Sequence, residues 1–415
     1  MKISLSSLLE KLIWLSTVFL YASFLMFDFT YHGKYIYFGL TILIVLMSAI
    51  IYRGILRIRL QPFHIFTALF AIFVALSSLW AMRSTDPIQK AIVLLQVLIF
   101  SSMIYIHYDR TNNIVPLLLA VKWAGYIVTL YSIAFYGLDE MLASSQDLRL
   151  TNEFSNVNSI AMSAALSCVL QWNDILRKRD IWSTVMTIPS VILITATQSR
   201  KALVLLLVGI LAIYLLRSMQ EKGSAKKVLK FIFYSVLIFF GLQLLLRLPI
   251  FNASMERMER MFNFFSGEGT VDHSTIERNE MIELGIRFWK ENPIVGVGVS
   301  NPHLLSARYL NRDAYLHNNY VELLCGGGII GFGLYYAMFV YLFWALFKYR
   351  KADQEAFIVG LVWLCLMLIM QYGMVSYYIK IQWYYLVVHF LNVSQMKRKY
   401  LEMMKNAEEP APQGN

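Results

Sequence analysis

The sequence predicts an all-α polytopic membrane protein, and three observations lead to that fold class. Only 15% of the 415 residues are charged and 58% are hydrophobic, whereas a soluble domain carries about 25% charged residues. The apolar residues form continuous blocks of about 17–24 residues, the length of a membrane-spanning helix. A membrane barrel would show short alternating segments instead, so we expect no strands.

Hydropathy divides the chain into about twelve transmembrane helices. They lie near residues 11–27, 35–52, 63–81, 91–107, 114–136, 155–173, 181–198, 201–217, 228–246, 320–347, 355–376 and 380–395. We expect residues 1–400 to form a single multi-span membrane domain. Residues 401–415 are polar and are predicted to be a disordered cytoplasmic tail.

Lysine and arginine residues cluster in alternate connections between the spans. These residues are Arg53, Arg57, Arg59, Arg110, Arg177, Lys178, Arg179, Arg217, Lys222, Lys226, Lys227, Lys348, Arg350 and Lys351, followed by Lys397, Arg398 and Lys399. Cytoplasmic connections carry the excess of cations, so both termini are predicted to be cytoplasmic. The outer side then holds the connections 82–90 and 137–154, the turn 198–201 and the long loop 247–319.

Charge and cysteine usage argue against several other classes of protein. The net charge is +11, but the cations lie in short connections, so nucleic acid is not expected as a partner. Cys168, Cys325 and Cys365 fall within apolar blocks and predict neither a disulfide framework nor a metal site. The seven histidines are scattered, and we expect no metal and no cofactor.

The turn Thr197-Gln198-Ser199-Arg200-Lys201 joins two apolar blocks at the outer side. Ser199 is predicted to cap the helix that follows, by accepting a hydrogen bond from a free amide. A cation in the first turn is disfavoured by the helix dipole. Two interpretations of Arg200 stay open: an interfacial arginine whose head reaches water, or one part of an anion site at the helix N-terminus.

The long outer loop contains a second helix start. Residues 274–277 fit a capping box and predict a helix that runs to about Lys290. Arg278 lies in the first turn of this helix. It either pairs with a neighbouring glutamate, Glu277 or Glu280, or faces a ligand.

The loop re-enters the membrane at a third helix start. Asn319 and Glu322 predict its cap, so His317 precedes a helix N-terminus, which favours the neutral imidazole. The glycines of residues 293–298 predict a tight turn, and those of residues 326–331 predict close packing. A lone histidine is more often structural than catalytic. However, the two arginines and this histidine share one compartment, and that arrangement suits a diphosphate.

In these residues the chain resembles the O-antigen ligase and polysaccharide polymerase family of bacterial envelope enzymes. The shared pattern comprises Thr197-Gln198-Ser199-Arg200, Arg278, Trp289, Pro293, Gly296-Val297-Gly298 and His317-Asn318-Asn319-Tyr320-Val321-Glu322-Leu323, and it covers about residues 195–345. The resemblance implies a GT-C-like, metal-independent glycosyltransferase in the bacterial inner membrane. Its donor would be a polyprenyl-diphosphate-linked glycan, used at the outer face. Lys201 departs from the family, which usually has a small residue there.

The resemblance also implies a role for each candidate residue. The predicted catalytic residues are His317, Arg200 and Arg278; Arg200, Arg278 and Lys201 would bind diphosphate, and Asn318, Arg287 and Arg308 would contact the acceptor or serve in a lid. His317 would orient or deprotonate the acceptor hydroxyl. The whole 247–319 loop would act as lid and as part of the active site.

Three functions remain open within this interpretation. The favoured one is a polymerase that adds lipid-linked repeat units to another glycan. The alternative is a ligase that attaches the glycan to the lipid A core, and a polysaccharide or solute transporter is less favoured because no inverted repeat is evident. Expected partners are the donor, the glycan or lipid A core acceptor, the bilayer and other polysaccharide-assembly membrane proteins.

Overall fold

The computed structural model of the protein describes residues 4–27, 33–54, 60–144, 150, 156–220 and 273–408. Its α-helices are α1 (Leu5–Met26), α2 (Gly33–Ile51), α3 (Pro62–Leu76), α4 (Thr85–Thr111), α5 (Val115–Tyr136), α6 (Leu138–Ser144), α7 (Val157–Lys178), α8 (Ile181–Ala196), α9 (Arg200–Gln220), α10 (His273–Glu291), α11 (Pro302–Leu310), α12 (Asn319–Tyr349), α13 (Gln354–Gln371) and α14 (Lys380–Glu408). A 3-10 helix, Ser77–Leu79, follows α3, and these ranges contain no strand.

The helices confirm the predicted all-α polytopic membrane fold. Among the described residues, seven helices are long and apolar enough to cross a membrane, and α2 and α8 supply two shorter apolar helices. Every predicted span falls on a helix except 228–246, which lies outside the described residues. The start of the long loop, residues 247–272, also lies outside them.

The structure differs from the prediction at the C-terminal tail. Helix α14 continues to Glu408, so residues 401–408 are helical rather than disordered. This segment is polar, but it is rich in Leu, Met, Lys and Glu, which are good helix formers. Residues 409–415 lie outside the described part of the chain.

The chain divides into two compact units. The first unit comprises Met1–Tyr21, Tyr35–Ala120 and Ile276–Asn415, and the second comprises Ala22–Lys34 and Val121–Thr275. In the first unit, α3, α4, α12 and α14 pack together. In the second, α7 packs against both α8 and α9.

A buried ion-pair cluster holds the second unit together. The Lys122 ammonium donates to Asp174 at 2.7 Å, to Asp180 at 3.0 Å and to the Ser183 hydroxyl at 3.1 Å. These bonds join α5 to α7 and to the start of α8. A buried cation is tolerated when it is paired and hydrogen-bonded in this way.

Helix α12 is interrupted at Gly328, whose φ of 59° and ψ of −165° are not helical. An interruption leaves amides and carbonyls without partners inside the helix. The segment before α11 supplies those partners, because Ile329 N donates to Pro293 O and Val297 N donates to Cys325 O, both at 2.9 Å. The loop before α12 is thus attached to this helix through main-chain atoms.

Candidate active site

Asn318 caps α12, the helix that follows the candidate histidine. Its side-chain oxygen accepts from Tyr320 N at 3.0 Å and from Val321 N at 3.2 Å. The prediction that Asn319 is the cap is therefore wrong by one residue. Two adjacent asparagines offer the same capping chemistry, and the sequence does not show which of them is needed elsewhere.

Asn319 is fully buried and has a different role. Its amide nitrogen donates to Tyr336 Oη and to Gln371 Oε1, both at 3.0 Å. Its oxygen accepts from Ser376 N at 2.8 Å and from Tyr377 N at 3.0 Å. The first residue of α12 is therefore bonded to α13 and to the connection after it.

His317 lies in the turn immediately before this cap. Its φ of 54° is in the left-handed region, which is uncommon for a residue with a side chain and is often found at functional sites. The Glu322 carboxylate accepts from Leu316 N at 2.8 Å and so holds the preceding residue. The His317 ring is half-buried and lies against that of Tyr315, with 4.4 Å between ring centroids.

Arg278 is half-buried in α10 and forms no ion pair with any described residue. The two glutamates considered as its partners instead bind Arg312, at 3.1 Å for Glu277 and 2.8 Å for Glu280. The salt-bridge interpretation of Arg278 is therefore not what the structure shows. Its charge still acts on Tyr315. Burial raises the pKa of Tyr315 above its usual value, and the positive charge of Arg278 offsets part of that rise.

Helix α10 begins at His273, so Ser274 lies inside the helix and the prediction that it is the N-cap is wrong. The helix ends at Glu291, one residue beyond the predicted limit. Its apolar face packs on α11, on the segment before α12 and on α12 itself. The buried members of this cluster are Met281, Leu284, Leu305, Leu316, Val321 and Cys325. This packing connects the helix that carries Arg278 to the turn that carries His317.

Arg287 and Arg308 both lie near the ring of Tyr309. Their guanidinium carbons are 5.1 Å and 5.6 Å from its centroid. These contacts place the two arginines together on the surface of α10 and α11. A role in the acceptor site or in a lid stays a prediction for them and for Asn318.

Arg200 and Lys201 form the first turn of α9 in the second unit, where both are half-buried. Gln198 takes a left-handed φ of 48° to turn the chain sharply between α8 and α9. The predicted cap by Ser199 is wrong: its hydroxyl is buried and has no hydrogen-bond partner among the described residues. The side chain of Thr197 bonds inside the turn instead, accepting from Ser199 N at 3.3 Å.

The glycine-rich turn is structural, as predicted. A Cβ at Gly296 would lie 2.5 Å from the main chain of Cys325, and one at Gly328 would lie 2.3 Å from that of Ile294. The glycines at residues 326–331 also permit close packing, because a Cβ at Gly331 would lie 2.6 Å from the Phe73 ring. These positions need hydrogen in place of a side chain.

The first unit also contains a cavity of about 350 Å³ that was not predicted from the sequence. It is lined by Asp86, Gln89, Lys90, Ser300, His303, Asp313, Ala314, Tyr315, Glu322 and Tyr378. Tyr315 therefore belongs to the wall of this cavity and also contacts His317. The candidate histidine is thus separated from the cavity by one side chain, that of Tyr315.

His303 bridges two carboxylates at the cavity. Its Nδ1 lies 2.5 Å from Asp313 Oδ1 and its Nε2 lies 3.0 Å from Asp86 Oδ2. Burial lowers the pKa of His303, but the two carboxylates raise it by more, so the net pKa is above the usual value. The bridge joins the start of α4 to the segment that precedes α12. Within the described ranges, no group of three His, Cys, Asp or Glu residues fits a metal ion.

Fold and site together define the class of protein. It is an all-helical integral membrane protein in which a turn with a histidine, His317, precedes one helix and a half-buried arginine, Arg278, lies in the loop before that turn. Residues 185–336 match the family model described as O-antigen ligase. This match confirms, for residues 185–336, the resemblance seen in the sequence. Arg200, Arg278 and His317 all lie within the matched residues. No curated protein matches the sequence.

Proposed function

We propose that the protein is a membrane glycosyltransferase that polymerises polyprenyl-diphosphate-linked glycan repeat units at the outer face of the bacterial inner membrane. The family match supports an O-antigen ligase or polymerase type of function and a glycosyltransferase-like enzyme. The structural observation that carries the proposal is Arg278. This cation is half-buried and forms no ion pair with a described residue, while both adjacent glutamates pair with Arg312.

In the proposed reaction, Arg200 and Arg278 bind the donor diphosphate, and Lys201 adds a further positive charge. An arginine can hold two phosphate oxygens in its planar fork and stays charged at every working pH. Both arginines stabilise the negative charge that develops as the diphosphate leaves.

The acceptor hydroxyl oxygen attacks the anomeric carbon of the donor sugar, and a new carbon–oxygen bond forms. The bond between that carbon and the diphosphate oxygen breaks, and the polyprenyl diphosphate leaves with the bonding electrons. His317 orients the hydroxyl and accepts its proton. Direct displacement of this kind needs no nucleotide sugar, and we propose that it needs no metal.

The proposed setting follows from the cation distribution. Both termini are cytoplasmic, and the 247–319 loop forms a lid over the outer side, where His317 and Arg278 lie. The start of that loop, residues 247–272, is outside the described residues. The lid helices α10 and α11 are packed on one cluster of apolar side chains with the start of α12.

The test uses a strain that lacks this gene and carries plasmid-borne variants. Arg200→Ala and Arg278→Ala are each expected to reduce transfer by about 10²–10³-fold or more, as removal of one charge-stabilising donor does. His317→Ala is expected to reduce it by about 10²–10⁴-fold, as loss of a general base does. Arg350→Ala is the matched control, because Arg350 is exposed on the side predicted to be cytoplasmic. Membrane levels of every variant are compared by immunoblot.

The surface glycan of the deletion strain separates the candidate functions. Single repeat units on lipid A indicate a polymerase. Absent surface glycan with accumulated lipid-linked polymer indicates the ligase alternative. Unchanged glycan with altered solute uptake would favour a transporter and contradict the proposal, as would full glycan chains in Arg278→Glu cells.

A further inference from the structure

The cavity of about 350 Å³ has the size of a small-molecule pocket but an unusual lining. Small-molecule pockets measure about 300–1,000 Å³ and combine aromatic walls with a few polar groups. Here the aromatic groups are Tyr315 and Tyr378, and the polar groups come from three separate segments of the chain. Such a pocket is large enough for a sugar ring and too small for a folded partner.

The charges of the lining do not favour an anion. Three carboxylates, those of Asp86, Asp313 and Glu322, line the cavity. Its two basic side chains already have partners: His303 lies between two of the carboxylates, and the Lys90 ammonium lies 3.9 Å from the Tyr378 ring centroid. A diphosphate would meet three carboxylates and only two basic side chains, one of which already bridges two of those carboxylates.

The same groups fit a neutral ligand that carries many hydroxyls. A carboxylate has several lone pairs, so Asp86 and Asp313 can accept from a hydroxyl while each bonds His303. Gln89 supplies both a donor and an acceptor at the exposed side of the cavity. The tyrosine rings supply apolar surface for the carbon–hydrogen face of a sugar ring.

The position of the cavity relates it to the candidate base. Tyr315 lines the cavity, and its ring centroid lies 4.4 Å from that of His317. Glu322 also lines the cavity, and its carboxylate accepts from Leu316 N, next to His317 in the chain. A ligand in the cavity is therefore one side chain away from the proposed base.

We propose that this cavity is the subsite for the acceptor, and that it binds a neutral, hydroxyl-rich sugar ring of the acceptor glycan beside His317. This inference rests on the proposed function. It assigns Gln89 and Tyr378 to the recognition of the acceptor. It makes His303 a positioning residue, which holds Asp86 and Asp313 in the cavity wall and ties α4 to the turn that carries His317.

The test uses the full-length protein in lipid nanodiscs and two probes. One probe is the repeat-unit oligosaccharide, released from the lipid-linked glycan of the deletion strain by mild acid, as a competitor of transfer. The other is undecaprenyl diphosphate, which reports the donor side. Gln89→Ala and Tyr378→Ala test the cavity; Gln96→Ala on the same helix and Tyr372→Ala, whose ring is exposed, are the matched controls.

The cavity variants are expected to raise the inhibition constant of the oligosaccharide about tenfold, the effect of one or two lost contacts. Their affinity for undecaprenyl diphosphate is expected to stay unchanged, and both controls should behave as wild type. Tyr378→Phe keeps the ring, so the oligosaccharide is expected to inhibit this variant as strongly as wild type. This comparison separates a loss of binding from misfolding.

Two results would overturn the assignment. One is equal inhibition of wild type and both cavity variants by the oligosaccharide. The other is a parallel loss of undecaprenyl diphosphate affinity, which would place the donor in the cavity. Absence of any transfer by the wild-type protein is a distinct result, because it contradicts the proposed function itself.

Discussion

Replacing Asn319 by alanine should destabilise the first unit by an amount that its hydrogen bonds define. The variant leaves the amides of Ser376 and Tyr377 buried without their acceptor, which otherwise lies at 2.8 and 3.0 Å. Each unsatisfied buried group costs about 1–3 kcal/mol, so the sum is about 2–6 kcal/mol. The donor side costs less, because Tyr336 Oη still donates to Gln371 Oε1 at 2.8 Å.

The measurement is the free energy of unfolding in detergent micelles, taken by denaturant titration. Asn392→Ala is the matched control: Asn392 is also buried, and its amide donates one bond, to Ala356 O at 2.9 Å. The control loses one hydrogen bond, to a carbonyl of helix α13, so its free energy of unfolding should fall by about 1 kcal/mol. Equal losses for the two variants would refute the idea that the two amides depend on Asn319.

Two further predictions concern the loop. Arg312→Gln removes one ion-pair partner from each of the two glutamates of α10 beside Arg278. It should weaken undecaprenyl diphosphate binding up to about fivefold, the scale of one ion pair near the surface. Arg312→Lys should retain affinity, and unchanged affinity in Arg312→Gln would contradict the argument. Because Asp86 and Asp313 raise the pKa of His303 against the effect of burial, its protonated form stabilises the fold. That stabilisation is complete below about pH 6.5 and is lost as pH rises through the folded-state pKa. The unfolding midpoint should therefore fall with rising pH more steeply in wild type than in His303→Gln, and parallel pH profiles would exclude the bridge.

The sequence predicts the helices well because their signal is local. Long apolar blocks define the spans, and the structure has a helix at each predicted span within its described ranges. The residues that cap the helix N-termini were less predictable. Asn318 and Asn319 have the same chemistry, and only the buried partners of Asn319, up to 58 residues away in the chain, decide which one caps α12.

The candidate site was predictable only where it follows from local motifs. Arg278 and His317 stand at helix starts, which a sequence displays. The cavity beside them needs contacts such as that of His303 with Asp86, 217 residues apart. One signal was present: α4 begins six residues before its apolar block, and this polar extension, Thr85–Lys90, carries three of the lining residues.

The interruption of α12 at Gly328 bears on how the surface of the loop before α12 can change during evolution. Main-chain atoms make the bonds there, so the exposed side chains of Ile294 and Val295 take no part in them. Substitutions at these two positions leave the attachment intact, whereas a methyl group at Gly296 or Gly328 would collide with main-chain atoms. Relatives can therefore present different side chains on this surface while the loop and the turn of His317 keep their places.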